Sequence, residues 1–295
     1  MPDLLTYGGD IEGRTIDEND HDAISGVGGK IRILTEQLGL TILMPQPFSR
    51  LEGWPRDTHA REREAAFDLA RGWIKVMEAL GTDMLQVGST DAEDVSPCLD
   101  QHAEDLRELA DMLAEGGFRL AYENWCWATY NAAGWKDVWE ICQRAGRPNI
   151  GLCLDTFQST GGEYGDPTTA SGRIEYFNPA ELASRWKHSL TGLRLAVPSD
   201  KIYLLQISDA YKMEPPLCET SARPKSEWSH SFRPLPYSGG YLPVEDFLGS
   251  VLGTGFRGWL SVEVFDSRPK EGMLVEDYTK AAMQSLTRLL ASTIK

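Results

Sequence analysis

The sequence predicts an α/β protein that forms a single (β/α)8 barrel with parallel strands. Short apolar runs of strand length alternate along the chain with longer amphipathic runs, a pattern typical of parallel βα proteins. The 295 residues are enough for one large barrel or for two ordinary domains. Since no linker and no low-complexity segment interrupts the alternation, we expect one domain that spans residues 1–295.

Six apolar runs are predicted to form strands, and a seventh strand is expected near the start of the chain. The six are Leu40–Gln46, Met84–Ser89, Arg119–Trp125, Asn149–Asp155, Lys201–Asp209 and Gly258–Phe265. A further strand is expected to end at Leu4–Tyr7. A closed barrel of this type has eight strands, so the first βα unit is predicted to be missing. Either the barrel is open at that seam, or the chain begins inside a longer ancestral domain.

Helices are predicted where apolar residues recur at three- and four-residue steps. One helix is expected near Gly28–Gln37, after a polar loop. The stretch Ala60–Leu80 carries such a stripe, which includes Trp73 and Met77. The stretch from Leu99 to Leu113 carries the next one.

The connection from Ala210 to Pro243 is long and is expected to be irregular. Its prolines and paired glycines are Pro215, Pro216, Pro224, Pro234, Pro236 and Gly239-Gly240. Loops of this length inside compact domains are usually functional or disordered. Because it follows the carboxyl end of a strand, we interpret it as a lid or substrate-contact loop, with a plain surface excursion as the alternative.

Composition and charge argue against several classes of partner. A net charge of −15, with no run of lysines and arginines, opposes binding to nucleic acid or to anionic membranes. The apolar runs are far shorter than the roughly 20 residues of a membrane span, and no signal peptide is visible. Five cysteines without a Cys-x-x-Cys pair favour a reducing, cytoplasmic location. We expect a small-molecule substrate, with a homo-oligomer as an open possibility.

Four predicted strands end in a polar residue within apolar surroundings: Glu123, Asp155, Gln206 and Glu263. A carboxylate in a buried strand is unfavourable unless a cation or hydrogen bonds compensate it. Any one of them alone would more often be a helix cap or an ion-pair partner. Their repetition at βα spacing instead predicts a divalent metal at the carboxyl ends of the strands. Oxygen ligands favour Mg²⁺ or Mn²⁺, and Co²⁺ is a third candidate.

The segments that contain these residues resemble the xylose-isomerase-like TIM barrel superfamily of sugar isomerases and epimerases. The similar segments are Tyr122-Glu123-Asn124, Gly151–Phe157 and Val262–Phe265. Gln206 stands where the sugar epimerases usually have histidine. In having glutamine at this position, the chain resembles one branch of the superfamily, the 3-dehydroshikimate dehydratases of quinate and shikimate catabolism. Further segments similar to that branch are Asp155–Gln158, Val197–Ile202, Trp228-Ser229, Arg233–Pro236 and Gly240–Val244.

The resemblance implies dehydration of 3-dehydroshikimate to protocatechuate through a metal-stabilised enolate. A ketose isomerase or epimerase of the same superfamily is the alternative, and an inactive truncated homologue is another. A phosphodiesterase of the apurinic endonuclease type would need a histidine-rich zinc site and a basic face. Five scattered histidines and a charge of −15 disfavour it.

Candidate residues beyond the metal ligands follow from the expected chemistry. His59, in the loop after the first predicted strand, is the candidate general acid or base. The alternative is an exposed loop histidine near a helix start that has no catalytic role. Arg56 and Arg233 are candidates for binding the substrate carboxylate. Gln158 and Ser208 are expected to add hydrogen bonds around the ligands.

Overall fold

The computed structural model describes residues 6, 8–10, 13, 15–17, 19–129, 132–218, 223–268 and 274–293. The chain divides into two compact units. The first comprises Met1–Tyr122 and Glu140–Gly151, and the second comprises Glu123–Trp139 and Leu152–Lys295. Strands and helices alternate along the described chain, which confirms the predicted α/β class.

The first half of the chain contributes four helices and three strands. In chain order these are α1 (His21–Gln37), α2 (Ala60–Leu80), β1 (Met84–Gly88), α3 (Leu99–Glu115), β2 (Arg119–Glu123), α4 (Trp135–Ala145) and β3 (Ile150–Asp155). The second half contributes α5 (Thr156–Glu163), α6 (Pro179–Ala196), a 3₁₀ turn (Ser199–Lys201), β4 (Ile202–Ile207), α7 (Pro224–Ser231), β5 (Phe232–Arg233), α8 (Val244–Gly253), β6 (Trp259–Val262), β7 (Phe265–Asp266) and α9 (Val275–Thr293).

In the first unit, α1 packs against α2 through an apolar cluster that includes Ile24, Val27 and Val76. The helix α2 follows the predicted bounds Ala60–Leu80 and ends at Gly81, whose φ of 72° is left-handed. Glycine adopts this conformation without the steric cost of a Cβ atom, so it is a common helix terminator. The predicted helix near residues 28–37 begins earlier, at His21.

In the second unit, β3, β4 and β6 lie side by side and run parallel. Asp155 pairs with Gln206 across β3 and β4, and Gln206 pairs with Ser261 across β4 and β6. The apolar residues of β3 and β4 are almost completely buried. Because parallel strands in register end at the same edge of a sheet, this pairing brings the polar strand ends together.

The predicted strand Leu40–Gln46 is wrong. Those residues form no strand. The carbonyl oxygen of Pro45 accepts from the backbone N–H of Gln86 over 3.4 Å, and an isolated bridge pairs Phe48 with Val87 of β1. Pro45 and Pro47 lack the N–H groups that a strand needs, which accounts for the failure of an otherwise apolar run. The predicted strand end at Leu4–Tyr7 lies outside the described residues apart from Thr6.

The connection from Ala210 to Pro243 is more ordered than we expected from its sequence. It contains α7 and β5, and β5 pairs antiparallel with β7. Trp228 on α7 is fully buried, and its Nε1 donates to the carbonyl oxygen of Tyr211 over 2.9 Å. The prediction of an irregular loop is therefore wrong for its middle part, because the tryptophan anchors a helix there. Residues 219–222 lie outside the description.

Two simpler expectations concern the cysteines and the membrane. None of the five cysteines, all of which lie within the described residues, forms a disulfide, and three of them are buried. Within the described part of the chain, none of the helices has the length and apolarity needed to cross a bilayer.

Candidate metal centre

Three carboxylates converge at the strand ends of the second unit. Glu123 is the last residue of β2, Asp155 is the last residue of β3, and Glu263 directly follows β6. Glu123 and Asp155 are buried, and the Glu263 side chain is 15% exposed. One oxygen of each carboxylate lies within 4.8 Å of the other two. Such a cluster, which we call the acidic triad, requires a compensating positive charge.

Gln206, the fourth predicted ligand, lies beside the triad on β4 and is buried. Its Nε2 donates to Oε1 of Glu263 over 2.7 Å. Its Oε1 accepts a hydrogen bond from the Cys153 thiol over 3.2 Å. The side-chain amide therefore orients Glu263 directly and reaches the triad from the strand between Asp155 and Glu263.

Arg233 supplies a positive charge inside the site. Its side chain is 1% exposed, and its Nη2 donates to Oδ2 of Asp155 over 2.5 Å and to Oε2 of Glu263 over 3.0 Å. Its Nε donates to Oγ of Ser208 over 3.0 Å. The sequence suggested this arginine as a partner of the substrate carboxylate, whereas the structure pairs it with two members of the triad.

The electrostatics of the triad show that one arginine does not balance it. Burial raises the pKa of Glu123 well above its ordinary value, and the charges of Glu263 and Asp155 raise it further, against the opposing effect of Arg233. Burial also raises the pKa of the Cys153 thiol well above its usual range, and the three carboxylates add to the effect. Cys153 is therefore a neutral hydrogen-bond donor, and excess negative charge remains in the site.

The donor set fits a hard divalent cation. The three carboxylates offer only oxygen ligands, which Mg²⁺ and Mn²⁺ prefer, whereas Gln206 as oriented here directs its side-chain N–H toward Glu263. Three negative charges and one guanidinium leave a formal charge of minus two, which one divalent ion neutralises. The residues present thus agree with the predicted metal site in both chemistry and charge.

The comparison with known proteins identifies the family. Residues 14–289 match the family model described as xylose isomerase-like TIM barrel. The chain belongs to this family. A 3-dehydroshikimate dehydratase from Neurospora crassa is 35% identical over 250 residues, which cover 79% of this chain and 66% of that protein.

Two solved structures share the xylose isomerase-like fold. One is a xylose isomerase-like TIM barrel/4-hydroxyphenylpyruvate dioxygenase fusion protein, with a TM-score of 0.71 and 27% identity. The match covers 90% of this chain and 36% of the fusion protein. The other is the IolI protein, whose structure contains a bound zinc atom, with a TM-score of 0.64 and 17% identity. This second match covers 90% of this chain and 83% of the IolI protein. At 17% identity the similarity shows a shared fold alone.

This member of the xylose isomerase-like family thus spans just under two thirds of the Neurospora relative and about a third of the fusion protein. The relatives therefore contain long segments with no counterpart in the matched region.

Gln158 and Ser208 lie next to the triad but are already engaged. Asp155 begins α5, where its Oδ1 accepts from the backbone N–H of Gln158 over 2.8 Å. The Gln158 side chain accepts from the backbone N–H of Cys126 over 3.1 Å. The backbone N–H of Ser208 donates to Thr156 Oγ1 over 2.9 Å. Gln158 thus holds neighbouring backbone, and Ser208 acts on the triad through Arg233.

Arg56 and His59 belong to the first unit. Arg56 forms an ion pair with Glu104 over 3.0 Å, and its side chain is 53% exposed. His59 directly precedes α2, and its Nδ1 lies 3.0 Å from Oγ1 of Thr58. The structure adds no contact that assigns either residue to the reaction, and both roles stay predictions.

Trp125 is a partner of the triad that the sequence analysis did not identify. Its Nε1 donates to Oε2 of Glu123 over 3.1 Å, and its ring stacks on Trp127 with centroids 5.2 Å apart. Trp125 comes two residues after Glu123, the spacing that places two side chains on one face of an extended chain. That spacing was the available signal for a supporting donor.

Proposed function

We propose that this chain is a divalent-metal-dependent lyase that dehydrates 3-dehydroshikimate to protocatechuate. The observation that carries the proposal is the acidic triad beside Gln206, at the strand ends of a chain 35% identical to a protein named 3-dehydroshikimate dehydratase. An amide in the position where sugar epimerases usually have histidine favours dehydration over sugar isomerisation.

The reaction removes one proton from carbon and one hydroxide from the ring, which together make one water molecule. The remaining ring becomes aromatic, so the step is effectively irreversible. A divalent ion held by Glu123, Asp155 and Glu263, with Gln206 beside them, would act as a Lewis acid toward the negative charge that develops on the ketone oxygen.

The protein's own contribution is to hold the acidic triad rigidly in a site shielded from water. Gln206 and Arg233 fix the two oxygens of Glu263, and Arg233 also fixes Asp155. Trp125 donates a hydrogen bond to Oε2 of Glu123. Groups positioned in this way need little reorganisation when charge develops during the reaction. His59 stays the predicted general acid or base.

The test is a direct assay with matched variants. The purified protein is stripped of metal with a chelator, supplied with Mg²⁺ or Mn²⁺, and incubated with 3-dehydroshikimate while the ultraviolet absorbance of protocatechuate is followed. We expect product only after a divalent ion is restored. Glu263→Gln should abolish turnover, whereas Glu276→Gln, at an exposed ion pair with Lys280, should leave it unchanged.

A folded protein that gives no protocatechuate with any divalent ion would refute the dehydratase proposal. Isomerisation of a ketose without dehydration of 3-dehydroshikimate would favour the sugar isomerase alternative. Unchanged turnover of Glu263→Gln would refute the role of the acidic triad.

A further inference from the structure

We propose that Arg233 is the resident counter-ion of the acidic triad. It holds Asp155 and Glu263 in place before a metal arrives, and it sets the net charge that the site presents to a cation. This inference rests on the metal centre of the proposed function, and it assigns Arg233 a positioning role rather than contact with the substrate.

The pairing of β5 with β7 places Arg233 beside the acidic triad. Arg233 lies on β5 and pairs with Phe265 of β7, two residues beyond Glu263. Its guanidinium carbon lies 4.6 Å from the ring centroid of Phe157 and 5.5 Å from that of Phe265. The two rings contact the planar group while its edge faces the carboxylates, which restricts its rotation.

Four of the five guanidinium N–H groups of Arg233 donate within the site. Nε donates to Ser208 over 3.0 Å, Nη1 donates to Ser229 over 3.4 Å, and Nη2 donates to Asp155 and Glu263. The side chain is almost completely buried, so solvent screens its charge only weakly. A substrate carboxylate could not accept from two guanidinium N–H groups at once without displacing one of these partners. The geometry therefore matches a fixed counter-ion better than a substrate clamp.

Two effects of Arg233 on metal binding oppose each other. Its positive charge repels a cation a short distance away, and its hydrogen bonds hold two carboxylates ready to bind that cation. The repulsion acts between a unit charge and a doubly charged ion at a buried site, where electrostatic interactions are strong. The positioning is partly redundant, because Gln206 also holds Glu263 and the amide of Gln158 also holds Asp155. Repulsion therefore outweighs positioning.

Removing Arg233 should also lower the stability of the metal-free protein. Without Arg233, the triad contains three buried carboxylates and no cation, and removal of one partner from a buried ion pair is strongly destabilising. A divalent ion replaces the lost charge. The stability lost by removing Arg233 should therefore be recovered when the site is loaded.

The experiment measures Mn²⁺ affinity by calorimetry, and melting temperature with chelator and with saturating Mn²⁺. Arg233→Gln should bind Mn²⁺ about tenfold more tightly than the wild type, the change that 1.4 kcal/mol of lost repulsion produces. It should melt at a lower temperature in chelator and recover most of that loss with Mn²⁺. Arg233→Lys keeps the charge and should retain affinity close to that of the wild type. Arg185→Gln, at an exposed pair with Glu181, should change neither quantity.

Weaker or unchanged Mn²⁺ affinity in Arg233→Gln would overturn the inference, as would an unchanged melting temperature in chelator. If Arg233→Gln does not fold, Ser208→Ala takes its place, because it removes the partner of Nε but keeps the guanidinium charge. It should lower the melting temperature in chelator while its Mn²⁺ affinity stays close to that of the wild type, and an unchanged melting temperature of Ser208→Ala in chelator would then overturn the inference. A wild type that binds no divalent ion would overturn both proposals, whereas metal binding without dehydration would overturn the proposed reaction alone.

Discussion

Replacing Glu123 by glutamine should stabilise the metal-free protein and weaken metal binding at the same time. Glutamine has nearly the same shape, and its side-chain oxygen can still accept the hydrogen bond from Trp125. The substitution removes one of three neighbouring negative charges. Without a metal, the charge of Glu123 is repelled by Asp155 and Glu263, so its removal stabilises the protein. With a metal, the carboxylate is a ligand, so its removal weakens metal binding.

The geometry of the triad sets the size of the stabilisation. Two carboxylate charges 4.8 Å apart, the upper limit of the separations in the triad, repel each other by about 3–4 kcal/mol at an effective dielectric constant of 20. The raised pKa of Glu123 means that proton uptake can relieve part of this repulsion in the wild type. Protonating a carboxylate costs about 1.4 kcal/mol for each pH unit above its ordinary pKa of 4.5, so the repulsion destabilises the wild type by at most about 3 kcal/mol at pH 7. The charge of Arg233 offsets some of this destabilisation. We therefore expect Glu123→Gln to gain roughly 1–3 kcal/mol in chelator.

The assay compares denaturant unfolding at pH 7 in chelator, together with Mn²⁺ titration by calorimetry, for the wild type, Glu123→Gln and the surface control Glu181→Gln. For a chain of this size the expected gain corresponds to a rise of about 2–6 °C in melting temperature. Loss of a direct ligand should cost more than the 10- to 100-fold in affinity that outer-shell changes typically cost. A variant that is no more stable than the wild type in chelator, or that binds Mn²⁺ equally well, would refute the charge argument.

Two further predictions concern buried acids outside the triad. Burial raises the pKa of Asp209 to about 6, although the amides of Ala210 and Leu242 donate to it. Because this folded pKa lies above the ordinary 3.8, the wild type loses stability as pH rises between these values. Asp209→Asn should match the wild type near pH 4 and exceed it by about 2 kcal/mol at pH 7, and equal stability at both pH values in thermal melts would contradict this. Tyr122→Phe removes the 2.8 Å hydrogen bond to buried Glu52 and should cost about 1–2 kcal/mol, while a cost near zero in urea unfolding would show that this bond is not needed.

The triad was predictable from sequence because the signal is local. A carboxylate at the end of an apolar strand is visible in a single segment, as in the residues before Asp155. Parallel βα topology then places successive strand ends at one edge without further information. The prediction that Glu123, Asp155 and Glu263 converge follows from this rule, and the structure brings them together.

The ion pairs of Arg233 with Asp155 and Glu263 were not predictable in this way. Arg233 lies 78 residues from Asp155 in a segment that the sequence marked as irregular, and its pairing depends on a two-residue antiparallel contact. The segment itself is ordered by Trp228, whose burial depends on distant residues such as Phe157. The false strand at Leu40–Gln46 has a different cause, because the hydrophobicity of this run was weighed without the missing N–H group of Pro45.

The central claim is that one divalent ion binds the acidic triad. Crystals grown with Mn²⁺ and measured at the manganese absorption edge would show the ion by its anomalous scattering. We predict one strong peak with oxygens of Glu123, Asp155 and Glu263 about 2.0–2.3 Å away. No peak at the triad, or a peak only elsewhere in the protein, would contradict the claim.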